Sequence, residues 1–205
     1  MRKNPTDIVT YIIDRNINYT NVCNVVCTFC AFYRRPGKPD TYVRTLEDIC
    51  QRIDETITLG GTKVELSYLG LNHSDSTIVM LLPKEKIIFV VDTIPVGSVP
   101  GRGFIDIYPI ETEAFIKKVI AMDWDRMIPG HPGPGDRLGT KDDAKAVLTL
   151  MEEASAAIKT EAQAGKCWDA VEKDFKMEKY ATLPGYANGL PMVARRYCGL
   201  WGRGT

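Results

Sequence analysis

The sequence predicts an α/β chain in which a mixed sheet with helices follows a strand-loop-helix segment. Three observations carry this expectation. Apolar, β-branched-rich runs at 77–82 and 87–91 are bounded by turn residues, so they read as adjacent strands joined through Pro83-Lys84-Glu85-Lys86. Glu111 to Met122 repeats its apolar residues at helical spacing. Thr140, with Asp143 three residues on, forms a capping-box pattern that opens a second periodic stretch running to about Gly165.

In chain order, Ile8 to Ile13 is a β-prone run, and the cysteines Cys23, Cys27 and Cys30 follow it. Thr45 and Asp48 form a helix start, and Leu46, Ile49, Cys50, Ile53 and Ile57 recur at helical spacing until Gly60-Gly61. Cys50 lies on that apolar stripe and reads as a small core residue. Lys63 to Tyr68 alternates as a strand, and the hairpin follows. A Gly/Pro-rich loop at 95–103 can line a site. The helix 111–122 carries Ala114, Phe115, Val119 and Met122 on one side, with Glu111 and Glu113 in its first turn, where the helix dipole favours acids. Arg126-Met127-Ile128 reads as a strand leading into Pro129-Gly130-His131. The helix from Thr140 buries Leu148, Met151, Ala154, Ala157 and Ile158. A further helix around Trp168 to Tyr180 presents Val171 and Phe175, and the last one begins with Pro191 and packs Val193, Tyr197, Leu200 and Trp201. Cys167 and Cys198 are isolated in sequence and read as single core or surface residues.

Composition excludes several classes of function. The 205 residues carry 26 basic and 26 acidic side chains, so there is no electrostatic footprint for nucleic acid or an anionic membrane. No apolar run approaches the roughly 20 residues of a membrane span. The first residues, with Asp7 and Asp14 around a short apolar run, do not resemble a secretory signal, which makes a cytoplasmic location the expectation. The partner expected is a small-molecule substrate.

Chemistry concentrates at strand ends. The two histidines of the chain, His73 and His131, and the carboxylate of Asp92 each stand beside a strand-like run. Two imidazoles and a carboxylate are donors that zinc and other borderline divalent metals accept, manganese and iron among them. The order H-S-D-S, then V-V-D, then P-G-H resembles the C-terminal half of the metallo-β-lactamase fold. That resemblance implies a truncated, half-size version of the fold. It gives His73 the role of third histidine of a first metal, Asp92 that of a carboxylate bridging two metals, and His131 that of last histidine of the second. It also implies a metal-dependent hydrolase of an ester, lactone, β-lactam or phosphoester. Asp92 would be catalytic, and Asp75 would orient a ligand or water. The family's first motif, H-x-H-x-D-H, is absent, since no histidine precedes His73. Water or a second subunit would have to complete the coordination.

Cys23-Asn-Val-Val-Cys27-Thr-Phe-Cys30 has the spacing C-x-x-x-C-x-x-C, which lets three thiolates wrap one face of an iron–sulfur cluster. The pattern resembles the signature of radical S-adenosylmethionine enzymes, and the words around it resemble the cyclic dehypoxanthine futalosine synthase branch. Cys23, Cys27 and Cys30 would then hold a four-iron, four-sulfur cluster, and the alternative to a hydrolase is an iron–sulfur or thiolate-metal protein. A folded chimera without dedicated catalysis is a third reading. The chain reads as a fusion: 1–62 as a radical-enzyme-like fragment, 63–205 as a hydrolase-like half. A half fold leaves one face of its sheet uncovered, so a homodimer or larger assembly is expected.

Overall fold

The computed structural model describes residues 20–22, 34–45, 55–59, 61–167 and 169–204. They fall into two compact units, Met1–Ile53 and Asp54–Thr205.

In the first unit, Thr20 bridges Val43 antiparallel and Val22 bridges Arg34 in parallel. Asn21 ties these segments together: its side-chain nitrogen donates to the Asp40 carbonyl and its oxygen accepts from the Tyr42 amide, both at 2.8 Å. Arg34 and Asp40 form an ion pair on the exposed side. Cys23, Cys27, Cys30 and Cys50 lie outside the described residues, as do the expected strand 8–13 and Leu46, Ile49 and Ile53.

The second unit is built on a five-stranded mixed sheet. Its strands are β1 (Glu55–Leu59), β2 (Thr62–Ser67), β3 (Val79–Leu82), β4 (Ile87–Val90) and β5 (Arg126–Pro129), in that spatial order. β1 to β4 pair antiparallel and β5 joins β4 in parallel, with Val90 opposite Pro129. Parallel neighbours need a crossover, and α1 (Pro109–Ala121) supplies it. Alternate residues Val79 and Leu81, Ile88 and Val90, and Met127 turn inward and are buried.

Three helices cover that apolar face. α1 contributes Phe115, Ile116 and Val119, α2 (Lys141–Gln163) contributes Val147, Met151 and Ile158, and α4 (Tyr186–Arg203) contributes Val193, Ala194 and Tyr197. A short helix, α3 (Asp169–Asp174), adds Val171. Trp124 is buried at the end of α1, where its indole N–H donates to the Val119 carbonyl at 2.7 Å. The same carbonyl also accepts from the Met122 amide at 3.2 Å, so the helix C-terminus is closed by two donors.

Several sequence expectations are corrected here. Ile57, expected on a helix, lies on β1, which pairs with β2 from Glu55↔Leu66 to Leu59↔Thr62. The β-branched run Thr56-Ile57-Thr58 suits a strand, and Gly61, with φ of 80°, turns the chain back where a helix stop was expected. Ala114 and Ala157 are exposed; Thr112, Ile116 and Leu150 take core positions instead. The helix expected over 168–180 breaks after Asp174 and resumes as a 3-10 turn at Glu178–Tyr180. α4 begins at Tyr186, so Pro191 sits inside it. The apolar contacts of Val193 and Tyr197 hold the helix through a residue that removes one internal hydrogen bond.

Cys167 and Cys198 are not separate residues: they form a disulfide across a sequence separation of 31. Sequence distance hid this pair, because the turn after α2 returns the chain to the flank of α4. In the chain-entropy view, closing a loop of this size removes about 3–4 kcal/mol of freedom from the unfolded state.

The capping box at the start of α2 is present. Thr140 Oγ1 accepts from the Asp143 amide at 3.3 Å, and the Asp143 carboxylate accepts from the Thr140 amide at 2.9 Å. Arg137 pairs with the same carboxylate through both terminal nitrogens, at 2.6 and 2.9 Å. The Arg137 guanidinium first, and then Thr140, hold the Asp143 carboxyl down at about 2. A depressed folded-state pKa stabilises the fold above the ordinary carboxyl range, and that contribution fades as pH falls toward 2. Asp143→Asn is therefore expected to lose about 1–2 kcal/mol at neutral pH. In urea titrations the gap to the parent chain should shrink steadily from pH 4 to pH 2.

Candidate active site

The topology brings the three sequence-selected residues to one end of the sheet. β2, β4 and β5 run in the same direction, because β3 reverses between β2 and β4. The β2–β3 connection, which carries His73, and the chain beyond β4 and β5 therefore emerge together. Asp92 lies two residues past Val90, and His131 two residues past its register partner Pro129. The crevice beyond the carboxyl ends of parallel strands is where α/β sheets commonly bind ligands.

Asp92 and His131 are in direct contact, with Asp92 Oδ1 3.0 Å from His131 Nε2. The backbone is bent to achieve this. The Thr93 amide donates to the Val91 carbonyl at 2.7 Å, closing a three-residue turn on Asp92, whose φ of 58° lies in the left-handed region. A non-glycine residue held there costs on the order of 1–3 kcal/mol. Gly130 makes room: a Cβ on it would stand 2.6 Å from Asp92 Oδ1 and 2.9 Å from the Asp92 nitrogen. Only a residue without a side chain lets the two strand ends close on each other.

Asn72, which the sequence reading did not single out, anchors the third member. It is fully buried. Its side-chain oxygen accepts from the His73 amide at 2.5 Å and from Thr93 Oγ1 at 3.2 Å, and its nitrogen donates to the Gly70 carbonyl at 3.0 Å. One amide thus ties the loop of His73 to the turn of Asp92. The Asn72 carbonyl also accepts from the Tyr108 amide at 3.0 Å, which fixes the start of α1.

His73, Asp92 and His131 line one cleft of about 460 Å³. Its walls are mostly apolar, among them Ile94, Val99, Phe104, Ile107 and Met151. Phe104 is backed by Tyr197, their ring centroids 5.8 Å apart. Two polar atoms of residues lining this cleft, His73 Nδ1 and Thr112 Oγ1, are buried without any hydrogen-bond partner. Thr112 also escaped the sequence reading, since a threonine in the first turn of a helix carries no distinguishing pattern. Asp75, expected to orient a ligand, is exposed and does not line the cleft.

The donor types suit a divalent metal. Two metal–ligand bonds of about 2.0–2.2 Å at a tetrahedral angle place their donor atoms about 3.4 Å apart, whereas Asp92 Oδ1 and His131 Nε2, at 3.0 Å, stand at hydrogen-bond distance. Among the described residues, no three His, Cys, Asp or Glu side chains converge on a common point. His73 is thus not gathered with the other two into a three-ligand cluster, contrary to the expectation from sequence.

No family model matches the chain. Among characterised proteins it is 52% identical over 152 residues to cyclic dehypoxanthine futalosine synthase of Streptomyces coelicolor, covering 71% of this chain and 36% of that protein. It is 45% identical over 78 residues to the enzyme of the same name from Halalkalibacterium halodurans, covering 38% of this chain and 20% of that protein. FO synthase of Nocardia farcinica is 43% identical over 58 residues, 28% of this chain and 7% of that one. The chain spans between a fifth and little more than a third of the two futalosine synthases. Solved structures similar to part of the chain are metallo-beta-lactamases. The one from Pontibacter korlensis superposes with a TM-score of 0.42 at 22% identity, over 48% of this chain and 46% of that one.

Gly130→Ala is expected to push the Asp92 carboxylate away from His131 while leaving the sheet intact. The imidazole NMR resonances of His131 should then match those of the Asp92→Ala protein. Resonances that stay at the parent positions would show that the glycine does not set this contact.

Proposed function

We propose that the second unit is a metal-dependent hydrolase of a small substrate, with Asp92 and His131 as the protein ligands of an open metal position. The observation that carries this reading is the 3.0 Å contact of a carboxylate oxygen and an imidazole nitrogen at the carboxyl ends of two parallel strands, facing an apolar cleft. A divalent cation there would supply Lewis-acid polarisation and a more acidic bound water. The chain's own residues do the rest. Gly130 admits the carboxylate, the turn at Asp92 fixes its direction, and Asn72 ties that turn to the loop of His73. The apolar walls exclude bulk water and hold the substrate body. Two protein ligands bind a cation more weakly than a closed set of four, so the metal should exchange readily with chelators.

A second reading is favoured by the identity to the two futalosine synthases and by the spacing of Cys23, Cys27 and Cys30. In it the cysteines hold an iron–sulfur cluster and the chain does not hydrolyse anything. Metal analysis of anaerobically purified protein separates the readings. Zinc or manganese that is lost in His131→Ala and in Asp92→Ala, together with esterase or lactonase activity falling to background, is the expected result. Cys27→Ser should keep most of that activity. Iron with acid-labile sulfide, lost in Cys27→Ser while the two site variants change nothing, would overturn the hydrolase in favour of the cluster.

A further inference from the structure

We infer that His73 and Thr112 form a polar subsite that holds the ester group of a neutral ester or lactone, and that the cleft rejects the corresponding free acid. The inference rests on the reading of this cleft as a substrate site and chooses among its possible substrates. Its first support is the pair of orphaned atoms. Thr112 is 1% exposed and its hydroxyl has no partner, although a threonine in a helix can turn back onto the carbonyl one turn earlier. Among the described residues that carbonyl, Tyr108 O, accepts only from the Thr112 amide, at 2.8 Å, although Thr149 and Thr160 do turn their hydroxyls back onto the carbonyls of Lys145 and Ala156. His73 Nδ1 is likewise buried and unpartnered. A buried polar atom left unsatisfied is costly, and folded proteins leave very few.

Both residues line the same cleft, and the backbone keeps their elements together. The Tyr108 amide bonds to Asn72 beside His73, and the Tyr108 carbonyl bonds to Thr112 one turn into α1. An ester or lactone carries two acceptor oxygens on one carbon. The Thr112 hydroxyl can donate to one and His73, with a proton on Nδ1, to the other. Charge selects the neutral form. Among the described residues no lysine or arginine lines the cleft, whereas the Asp92 carboxylate does. Burying an anion among apolar walls beside a carboxylate is costly, while a neutral ester meets both orphan atoms and leaves its hydrocarbon body on Phe104, Ile107 and Met151.

The test uses the full chain treated with chelator, so that neither metal nor turnover is required. Binding of γ-octalactone and of octanoate is followed by ligand-observed NMR. The lactone is expected to bind at least about tenfold more tightly than octanoate. Thr112→Val, which replaces the hydroxyl by a methyl of the same shape, should weaken the lactone about three- to tenfold, with a thermal midpoint equal to or above the parent's. Thr112→Ser, which keeps the hydroxyl, should restore the affinity and guards against a valine variant that fails to fold. Octanoate binding as tightly as the lactone, lactone affinity unmoved in Thr112→Val, or no lactone binding at all would each overturn the subsite. Lactone that binds in this way to a protein without hydrolytic activity would leave the subsite standing and remove the hydrolase reading instead.

Discussion

Everything at the candidate site depends on the parallel pairing of β4 and β5. Main-chain hydrogen bonds fix Val90 opposite Pro129, and two residues later that register becomes a carboxylate against an imidazole. A one-residue slip would send Asp92 to the other face, since side chains alternate along a strand. The register is protected by packing on one face and by close approach at the strand ends. Ile88, Val90 and Met127 fill the core on one face, and Gly130 permits the close approach at the end. The cost of the left-handed turn at Asp92 is met by this surrounding order, in particular by the buried Asn72 and Thr93 that grip it from the side.

Much of this was legible in the sequence, for identifiable reasons. The hairpin of β3 and β4 announced itself by β-branched runs around a polar turn, and α2 by a capping box whose two reciprocal bonds are both present. The strand-end positions of His73, Asp92 and His131 followed from the same runs. Asn72 and Thr112 were not legible, because their importance lies in burial without sequence periodicity. His73 lines the same cleft as Asp92 and His131 without forming a three-ligand group with them among the described residues. Ile57 shows a related limit, where apolar spacing fitted a helix while a β-branched stretch and a facing strand decided otherwise.

The cleft itself is an uneven environment. Proline, valine and aromatic walls lower the local polarity, so each polar atom within it weighs more than it would at the surface. The Asp92–His131 contact sits at the open end, where the imidazole is largely exposed and the carboxylate partly sheltered. The unpartnered atoms of His73 and Thr112 lie buried. Polar chemistry is thus divided between a wet rim and a dry interior, and a bound molecule would meet both.

The link between Cys167 and Cys198 encloses a stretch of chain that includes Pro184 and Gly185, which line the same cleft. A covalent ring of this kind changes what breakage of the chain means. If a protease cut one peptide bond between the two cysteines, the pieces would remain joined as a single molecule, and Val193 and Tyr197 would still be tethered to the core they fill. Only a reductant added after the cut would release the C-terminal helix as a separate fragment. Electrophoresis with and without thiol would therefore tell a nicked chain from an intact one at this segment alone.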